Sequence, residues 1–150
     1  MPVKIEDIHT ELCNLIETEL VGYKRFPNPY QIDANTFIHM TKGYGVAVGP
    51  GVDTERTLGC TSFYERVFTV VLVNKMTKLQ NDTGSRELVE RDLLVDHDTL
   101  RKAIYKTTLD GNCIKATLSS DNGVQFIDAD LQKFLAMELS VTIEYQDAVT

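Results

Sequence analysis

The chain has 150 residues, of which 43% are hydrophobic and 25% are charged, and its 15 basic and 22 acidic side chains give a formal net charge of −7. This composition is typical of a globular domain and excludes intrinsic disorder. The length suits a single domain over residues 1–150. The negative charge disfavours binding to nucleic-acid phosphates or to anionic lipid.

The N-terminus and the cysteines predict where the protein is made. The first residues include acids where a secretory signal would have an apolar run, and no apolar stretch approaches the ~20 residues of a membrane span. Cys13, Cys60 and Cys113 are odd in number and far apart, without a CxxC pair. They indicate reduced thiols rather than disulfides or a zinc site. We therefore expect a soluble protein made in the cytoplasm, with no membrane contact.

The N-terminal third predicts a helix followed by irregular or short extended segments. Apolar residues recur at three- and four-residue steps over Ile5–Leu20, which indicates an amphipathic helix that ends at Gly22. Thr36–Met40 and Tyr44–Val48 are typical of two short strands, with Lys42 and Gly43 as the turn between them.

The next segment is rich in glycine and proline. Gly49–Gly59 contains three glycines and a proline, which predicts a long, mobile surface loop. Phe63–Met76 follows and is apolar on both faces between Val67 and Val73, apart from Thr69. Such a run predicts a central strand covered on both sides.

The C-terminal half predicts a long helix and more strands. Ser85 is a plausible N-cap for a helix that reaches about Thr107, with a possible break near Asp96. Ile114–Ser119 and Val124–Ile127 predict a hairpin around the Ser119–Gly123 turn. Met137–Tyr145 alternates apolar and polar residues, as a half-buried strand does. The predicted fold is α+β, a single domain with a mainly antiparallel or mixed sheet packed by two helices, plus the Gly/Pro-rich loop.

The sequence presents no pattern that assigns a catalytic, cofactor-binding or metal-binding residue. The glycines of residues 43–51 lack the Lys-Ser or Lys-Thr pair of a phosphate-binding loop. His9, His39 and His97 have no Cys or Glu partner at metal-ligand spacing. The acidic group formed by Asp92, Asp96 and Asp98 lacks the glycine and terminal glutamate of a calcium loop. We predict neither an enzyme nor a cofactor.

The order of elements resembles that of the tail terminator, or tail completion, proteins of long-tailed bacteriophages. The resemblance rests on the strand E-R-V-F-T-V-V-L-V, the helix E-L-V-E-R-D-L-L-V-D-H-D-T-L-R-K-A-I and the final strand L-S-V-T-I-E-Y, together with an R-x-F-x-V pattern at Arg66, Phe68 and Val70. It covers the chain from about Ile5 to Tyr145.

This resemblance implies a virion protein that forms a hexameric ring. The ring would cap the tail tube, end tube polymerisation and join the tail to the head-completion proteins of the neck, while DNA passes through the lumen without specific binding. Its partners would be further copies of the chain, the tail tube protein and the neck proteins. The protein would be made in the host cytoplasm and end in the virion.

Docking segments are expected at Gly43–Gly59, Leu79–Ser85 and Ser119–Gly123. The candidate interface residues are Gly43, Tyr44, Pro50, Asp53, Arg56, Tyr64, Arg66, Phe68, Asn81, Asp82, Asp121 and Asn122. Arg66 is the preferred one, because it opens the long strand beside Tyr64 and arginine favours interface pairs with carboxylates. Two alternatives stay open: another neck component, such as a head-completion or minor tail protein, and a small acidic hydrolase or nucleotide-binding domain.

Overall fold

An N-terminal helix, α1, spans Ile5–Glu19 and confirms the predicted helix to within one residue. The structure is a computed structural model that describes residues 3–26, 41–58, 61–76, 83–129 and 132–148. Ile8, Leu12 and Ile16 form the buried stripe of α1. Gly22 follows the helix with φ +96°, a left-handed conformation that glycine adopts without strain, so it allows the chain to turn into the first strand.

The first two strands lie parallel to each other at one end of the sheet. β1 is Tyr23–Arg25 and pairs with the start of β2, which is Lys42–Leu58. The predicted turn at Lys42 and Gly43 is wrong, because both residues pair with β1 on one side and with the next strand on the other. The strand predicted over Tyr44–Val48 is confirmed as part of β2, whereas Thr36–Met40 lies outside the described residues.

The segment predicted as a Gly/Pro-rich loop is largely strand. Residues 49–58 belong to β2, and Gly59 lies outside the described residues. The pairing of β2 with its neighbour shifts register between Val48 and Gly51 and again between Asp53 and Thr57. These irregularities explain the error: a β-bulge accommodates glycine and proline within a strand, so the turn-like composition does not end the pairing.

The middle strand, β3, spans Thr61–Met76 and confirms the predicted central strand. The sheet has the order β1-β2-β3-β5-β4, with β3 antiparallel to both of its neighbours. Phe68, Val70 and Leu72 project toward the helices, while Val71 and Val73 project to the opposite face, and all five are buried. The continuous apolar run of β3 thus reflects burial on both faces.

The second helix, α2, spans Thr83–Lys106 without a break at Asp96. The predicted cap at Ser85 is wrong, since the helix begins two residues earlier. Val89, Leu93, Leu100 and Ile104 are buried against the sheet. No helix among the described residues combines the length and apolarity that crossing a bilayer requires.

The last two strands form one long antiparallel pair. β4 spans Lys115–Ala129 and β5 spans Gln132–Ala148. The predicted hairpin around Ser119–Gly123 is wrong, because β4 continues through this segment as a bulged strand. The predicted strand over Met137–Tyr145 is confirmed within β5, with its apolar residues buried on the helical side.

The fold class is therefore α+β, with a five-stranded mixed sheet and two helices. The main core lies between the helices and one face of the sheet. On the other face, a smaller buried cluster of Phe26, Val71, Val73, Phe134 and Ala136 occupies one end. The rest of this second face, which we call the open face, carries mainly polar side chains, among them Glu65, Glu138, Thr142 and Glu144.

Candidate functional site

A buried polar network joins β1, β2, β3 and α2. Tyr23, Lys42 and Asn74 occupy one row of the sheet by register, and Asp96 of α2 lies above them. The Tyr23 hydroxyl lies 2.6 Å from Asp96 Oδ2 and 3.0 Å from Asn74 Oδ1, and Lys42 Nζ lies 3.7 Å from the same Asp96 oxygen. The single hydroxyl proton of Tyr23 serves two acceptors, and the shorter distance to the charged carboxylate favours donation to Asp96. This network ties the helix to the sheet.

Burial and hydrogen bonding change the titration of two tyrosines. Burial, followed by the hydrogen bond to Asp96, raises the pKa of Tyr23 well above its ordinary value. Tyr44 is fully buried and donates to Glu17 Oε1 at 2.6 Å, and burial together with this hydrogen bond raises its pKa in the same direction. Both phenols therefore act as neutral structural donors.

Arg66, the preferred interface candidate, is engaged within its own chain. Its Nη1 donates to the Gly49 carbonyl at 2.9 Å, and its guanidinium lies 5.5 Å from the centre of the Tyr64 ring. A Cβ at Gly51 would collide with both the Tyr64 ring and the Arg66 guanidinium. Arg66 therefore holds the first bulge of β2, and Gly51 leaves the room for it.

The bulge of β4 is fixed by side chains that replace missing backbone pairing. The Glu138 amide donates to Asn122 Oδ1 at 2.9 Å, and the Gly123 amide donates to Asp121 Oδ1 at 2.9 Å. The other oxygen of Asp121 lies 3.4 Å from Nε2 of His97 in α2. The segment predicted as a docking turn is thus an ordered bulge connected to α2.

The open face carries a small polar pocket of about 230 Å³. Glu65 of β3, Glu144 of β5 and Lys115 of β4 form one row across three strands by register. Thr117, Ser119 and Thr142 line the rest of the pocket. Two like charges directly opposite each other disfavour strand pairing, and Lys115 places a cationic residue next to Glu144 in the same row. The pocket presents hydroxyl, carboxylate and ammonium groups to solvent.

The surface also exposes large apolar side chains. α2 exposes Leu88, Leu94, Val95 and Tyr105, β2 exposes Val48 and Val52, and β4 exposes Phe126. Two arginines of α2 cover aromatic rings, with Arg86 4.5 Å from the centre of the Phe126 ring and Arg101 5.3 Å from that of Tyr105. Aromatic and arginine side chains of this kind are enriched in protein interfaces.

The predicted interface residues do not converge on one surface. Four are exposed in the described structure: Pro50, Asp53, Asp121 and Asn122. Tyr64 and Arg66 are half-buried, and Gly43, Tyr44 and Phe68 are buried within the chain. The latter three therefore build the core and the sheet rather than a contact surface. Asn81, Asp82 and the side chain of Arg56 lie outside the described residues.

The histidines and acidic residues considered as candidate chemical groups have structural contacts where the structure describes them, whereas His39 and Cys60 lie outside the described residues. His9 Nε2 lies 3.1 Å from the Val46 carbonyl. Asp96 and Asp98 face different partners, because Asp98 pairs with Lys102 at 2.8 Å. Within the described part of the chain, no group of three His, Cys, Asp or Glu residues is arranged to hold a metal ion. Burial raises the pKa of the Cys13 and Cys113 thiols, which keeps them protonated.

Sequence reasoning missed the exposed apolar residues of α2. The sequence contains a signal for them, because Leu88, Leu94 and Val95 are apolar but lie off the stripe of Val89 and Leu93 that predicts the buried face.

No protein-family model matches the chain, and no curated protein matches it either. The site is therefore defined by its geometry.

Proposed function

We propose that this chain is a structural protein of a long-tailed phage virion that forms a ring on the end of the tail tube. The ring ends tube polymerisation and joins the tail to the connector of the head and neck. The proposal is supported by the order of elements that resembles the tail terminator proteins, and by an α+β architecture compatible with that resemblance.

The observation that carries the proposal is the pattern of exposed apolar and arginine side chains. Leu94 and Tyr105 of α2 are 47% and 54% exposed, and Val52 of β2 is 66% exposed, on a chain whose net charge is −7. Several such residues on two separate elements favour a protein whose surfaces are covered by other proteins. Assembly into a ring and docking to a tube would cover them.

The proposed mechanism is steric. A tube of identical subunits grows because each new ring presents the surface that the next one binds. A terminating ring binds that surface with one side, and its other side lacks the complementary patch. Six copies joined in a closed ring would stop growth at that point and leave the second side for the neck proteins.

The acidic character of the protein supports passage of DNA through such a ring. Glu65, Glu138 and Glu144 lie on the open face among serine and threonine hydroxyls. If this face lines the lumen, its carboxylates repel phosphate and prevent DNA from adhering. No specific contact with bases is needed.

The test is to purify the protein and image it by negative-stain electron microscopy, alone and with the tail tube protein of the same phage. We expect rings, and we expect tubes assembled with the protein to be capped and to stop lengthening. Uncapped tubes of unchanged length would overturn the proposal. Rings that bind neck proteins but not tubes would instead support the alternative of another neck component. A monomer stabilised by a small polar molecule would support the enzyme alternative.

A further inference from the structure

One exposed face of α2 carries charges in an order that is complementary to itself. Glu87, Leu94 and Arg101 follow at seven-residue intervals and so lie along one face of the helix. Arg91 and Asp98, also seven residues apart, lie beside them on that face. All five residues are exposed, and the helix packs on the sheet with a different face. We call the surface formed by these five residues the outer α2 face.

The charges of the outer α2 face are arranged around Leu94. Glu87 and Arg101 lie seven residues before and after Leu94, while Arg91 lies three before it and Asp98 four after it. The rise of a helix places the first two about 10 Å from Leu94 along the axis and the second two about 5 Å from it. Each acid therefore has a base at nearly the same distance on the other side of Leu94.

This order favours one arrangement of two α2 helices. When they pack antiparallel about a two-fold axis at Leu94, Glu87 of each copy meets Arg101 of the other. Arg91 of each copy likewise meets Asp98 of the other, so every charged pair is of opposite sign. A parallel arrangement would place each charged residue beside its own copy, and such like-charge contacts disfavour association.

Contacts within the chain leave these groups accessible to a second copy. Arg101 lies over the Tyr105 ring at 5.3 Å, and Asp98 pairs with Lys102 at 2.8 Å. The Asp98 side chain is nevertheless 54% exposed, and a carboxylate can accept further hydrogen bonds. Stacking on Tyr105 restricts the Arg101 side chain, so less conformational entropy is lost when it meets a carboxylate.

Leu94 supplies the apolar centre of such a contact. Its side chain is 47% exposed, and Val95 beside it is 57% exposed. A second copy would cover Leu94 and leave the charged residues as a polar rim, which is the usual arrangement in protein interfaces. Nucleic acid fits this face poorly, because its acids would repel phosphate.

We propose that two copies of this chain pair through the outer α2 face, antiparallel and about a two-fold axis at Leu94. The contact is isologous, because each copy contributes the same surface, and it closes at two copies. It is therefore additional to the contacts that would form a ring, and it does not depend on the proposed function.

A cross-link at residue 94 tests the two-fold axis, because only a residue near such an axis meets its own copy. Leu94→Cys is oxidised, and a disulfide forms only if the two Cα atoms come within about 7 Å. The controls are the wild type, with its three native cysteines, and Val21→Cys, whose position is 87% exposed outside the outer α2 face. We expect Leu94→Cys to form covalent pairs at least about tenfold faster than either control.

Exchange of charges tests the antiparallel arrangement. Glu87→Arg and Arg101→Glu are prepared singly, as a double variant, and as a mixture of the two single variants. Glu6→Arg and Lys4→Glu are the matched controls, because they change the charge by the same amounts at exposed positions at the start of α1. Pairing is measured by sedimentation velocity over a concentration series, and folding by circular dichroism.

Each single variant is expected to stay folded and to weaken pairing by about tenfold or more, since it places like charges together at two points of the contact. The double variant and the mixture should both recover pairing, because each restores opposite charges, while the two controls should match the wild type. A wild type that stays unpaired, a Leu94→Cys protein that cross-links no faster than its controls, or pairing that tolerates both single substitutions would overturn this inference.

The two proposals fail separately. Rings that cap tubes without a cross-link at residue 94 would leave the proposed function standing and overturn the pairing. Cross-linked pairs that respond to the charge exchange but leave tubes uncapped would support the pairing and overturn the proposed function.

Discussion

Tyr23 in the three-residue strand β1 donates a 2.6 Å hydrogen bond to Asp96 in the 24-residue helix α2. The contact crosses the main core and connects an element with little pairing of its own to one that is well anchored. Lys42, beside Tyr23 in the sheet, pairs with the same carboxylate. This polar network therefore adds a directional contact to the apolar packing that holds α2 on the sheet.

Tyr23→Phe should lower the free energy of unfolding by about 1–3 kcal/mol. The substitution leaves the buried Asn74 and the partly buried Asp96 without their common partner, and an unsatisfied buried polar group costs this much. Urea denaturation followed by circular dichroism measures the change. Tyr105→Phe, at an exposed position of α2, is the control and should change stability by less than about 0.5 kcal/mol. Equal stability of Tyr23→Phe and wild type would contradict the network's role.

The two buried tyrosines predict a loss of stability at alkaline pH. Their pKa values are raised in the folded state, so above about pH 10 the unfolded chain releases their protons while the folded chain retains them. The folded state then binds more protons, and the free energy of unfolding falls with pH, by at most about 1.4 kcal/mol per pH unit for each tyrosine. Below pH 10 this contribution is fully present.

Denaturation series between pH 8 and 11 measure this dependence. Other groups also titrate in the range, so the informative quantity is the difference in slope between wild type and the Tyr44→Phe variant. We expect a shallower slope for the variant above pH 10. Parallel curves would show that Tyr44 ionises equally in both states.

Gly49→Ala should destabilise the bulged part of β2. An added Cβ would lie 2.6 Å from the Val67 carbonyl oxygen, and backbone atoms of the central strand cannot move aside easily. Overpacking of this kind costs about 1–3 kcal/mol. Thermal unfolding checks the effect against Val48→Ala, which changes the exposed neighbour and should have little effect on folding. A Gly49→Ala protein with unchanged Tm would refute the close approach of β2 and β3.

Asn122→Ala should loosen the bulge of β4 locally. It removes the acceptor of the Glu138 amide, a hydrogen bond on an exposed surface that contributes about 1 kcal/mol. Hydrogen exchange of the Glu138 amide should become faster, while amides of β3 should keep their protection. Asn14→Ala, which removes only a 3.4 Å contact within α1, is the matched control. An unchanged exchange rate of the Glu138 amide would show that groups other than Asn122 protect this amide from exchange.

The sequence correctly predicted the elements in which buried residues recur at regular spacing. Three elements show such patterns: α1 has an apolar stripe, β3 has a continuous apolar run, and β5 alternates apolar and polar residues. These patterns follow the repeat of a helix or a strand, so the sequence predicts that the elements exist and roughly where they begin and end. Gly49–Leu58 and Ser119–Gly123 were misread because glycine, proline and asparagine favour turns locally. Pairing with β3 and β5 overrides that preference and converts both segments into bulged strands.

The candidate surface was less accessible from the sequence. The sequence predicted Tyr44 and Phe68 as interface residues together with Tyr64 and Arg66. The pleat of the strands instead directs the Tyr44 and Phe68 side chains into the core. The pairing of Arg86 with Phe126 joins residues 40 positions apart, and only the fold brings them together. Asn122 is a residue type that favours turns, and the sequence predicted a turn there. Its hydrogen bond with the Glu138 amide depends on the pairing register of β4 and β5, which a single sequence does not specify.

The bulges in β2 and β4 also bear on how the protein behaves in concentrated solution. Flat, regular strands with an unpaired side would invite stacking into cross-β fibrils. The register shifts of β2 and β4, together with Pro50 in β2, oppose such stacking. We therefore expect concentrated protein to remain free of thioflavin-binding aggregates.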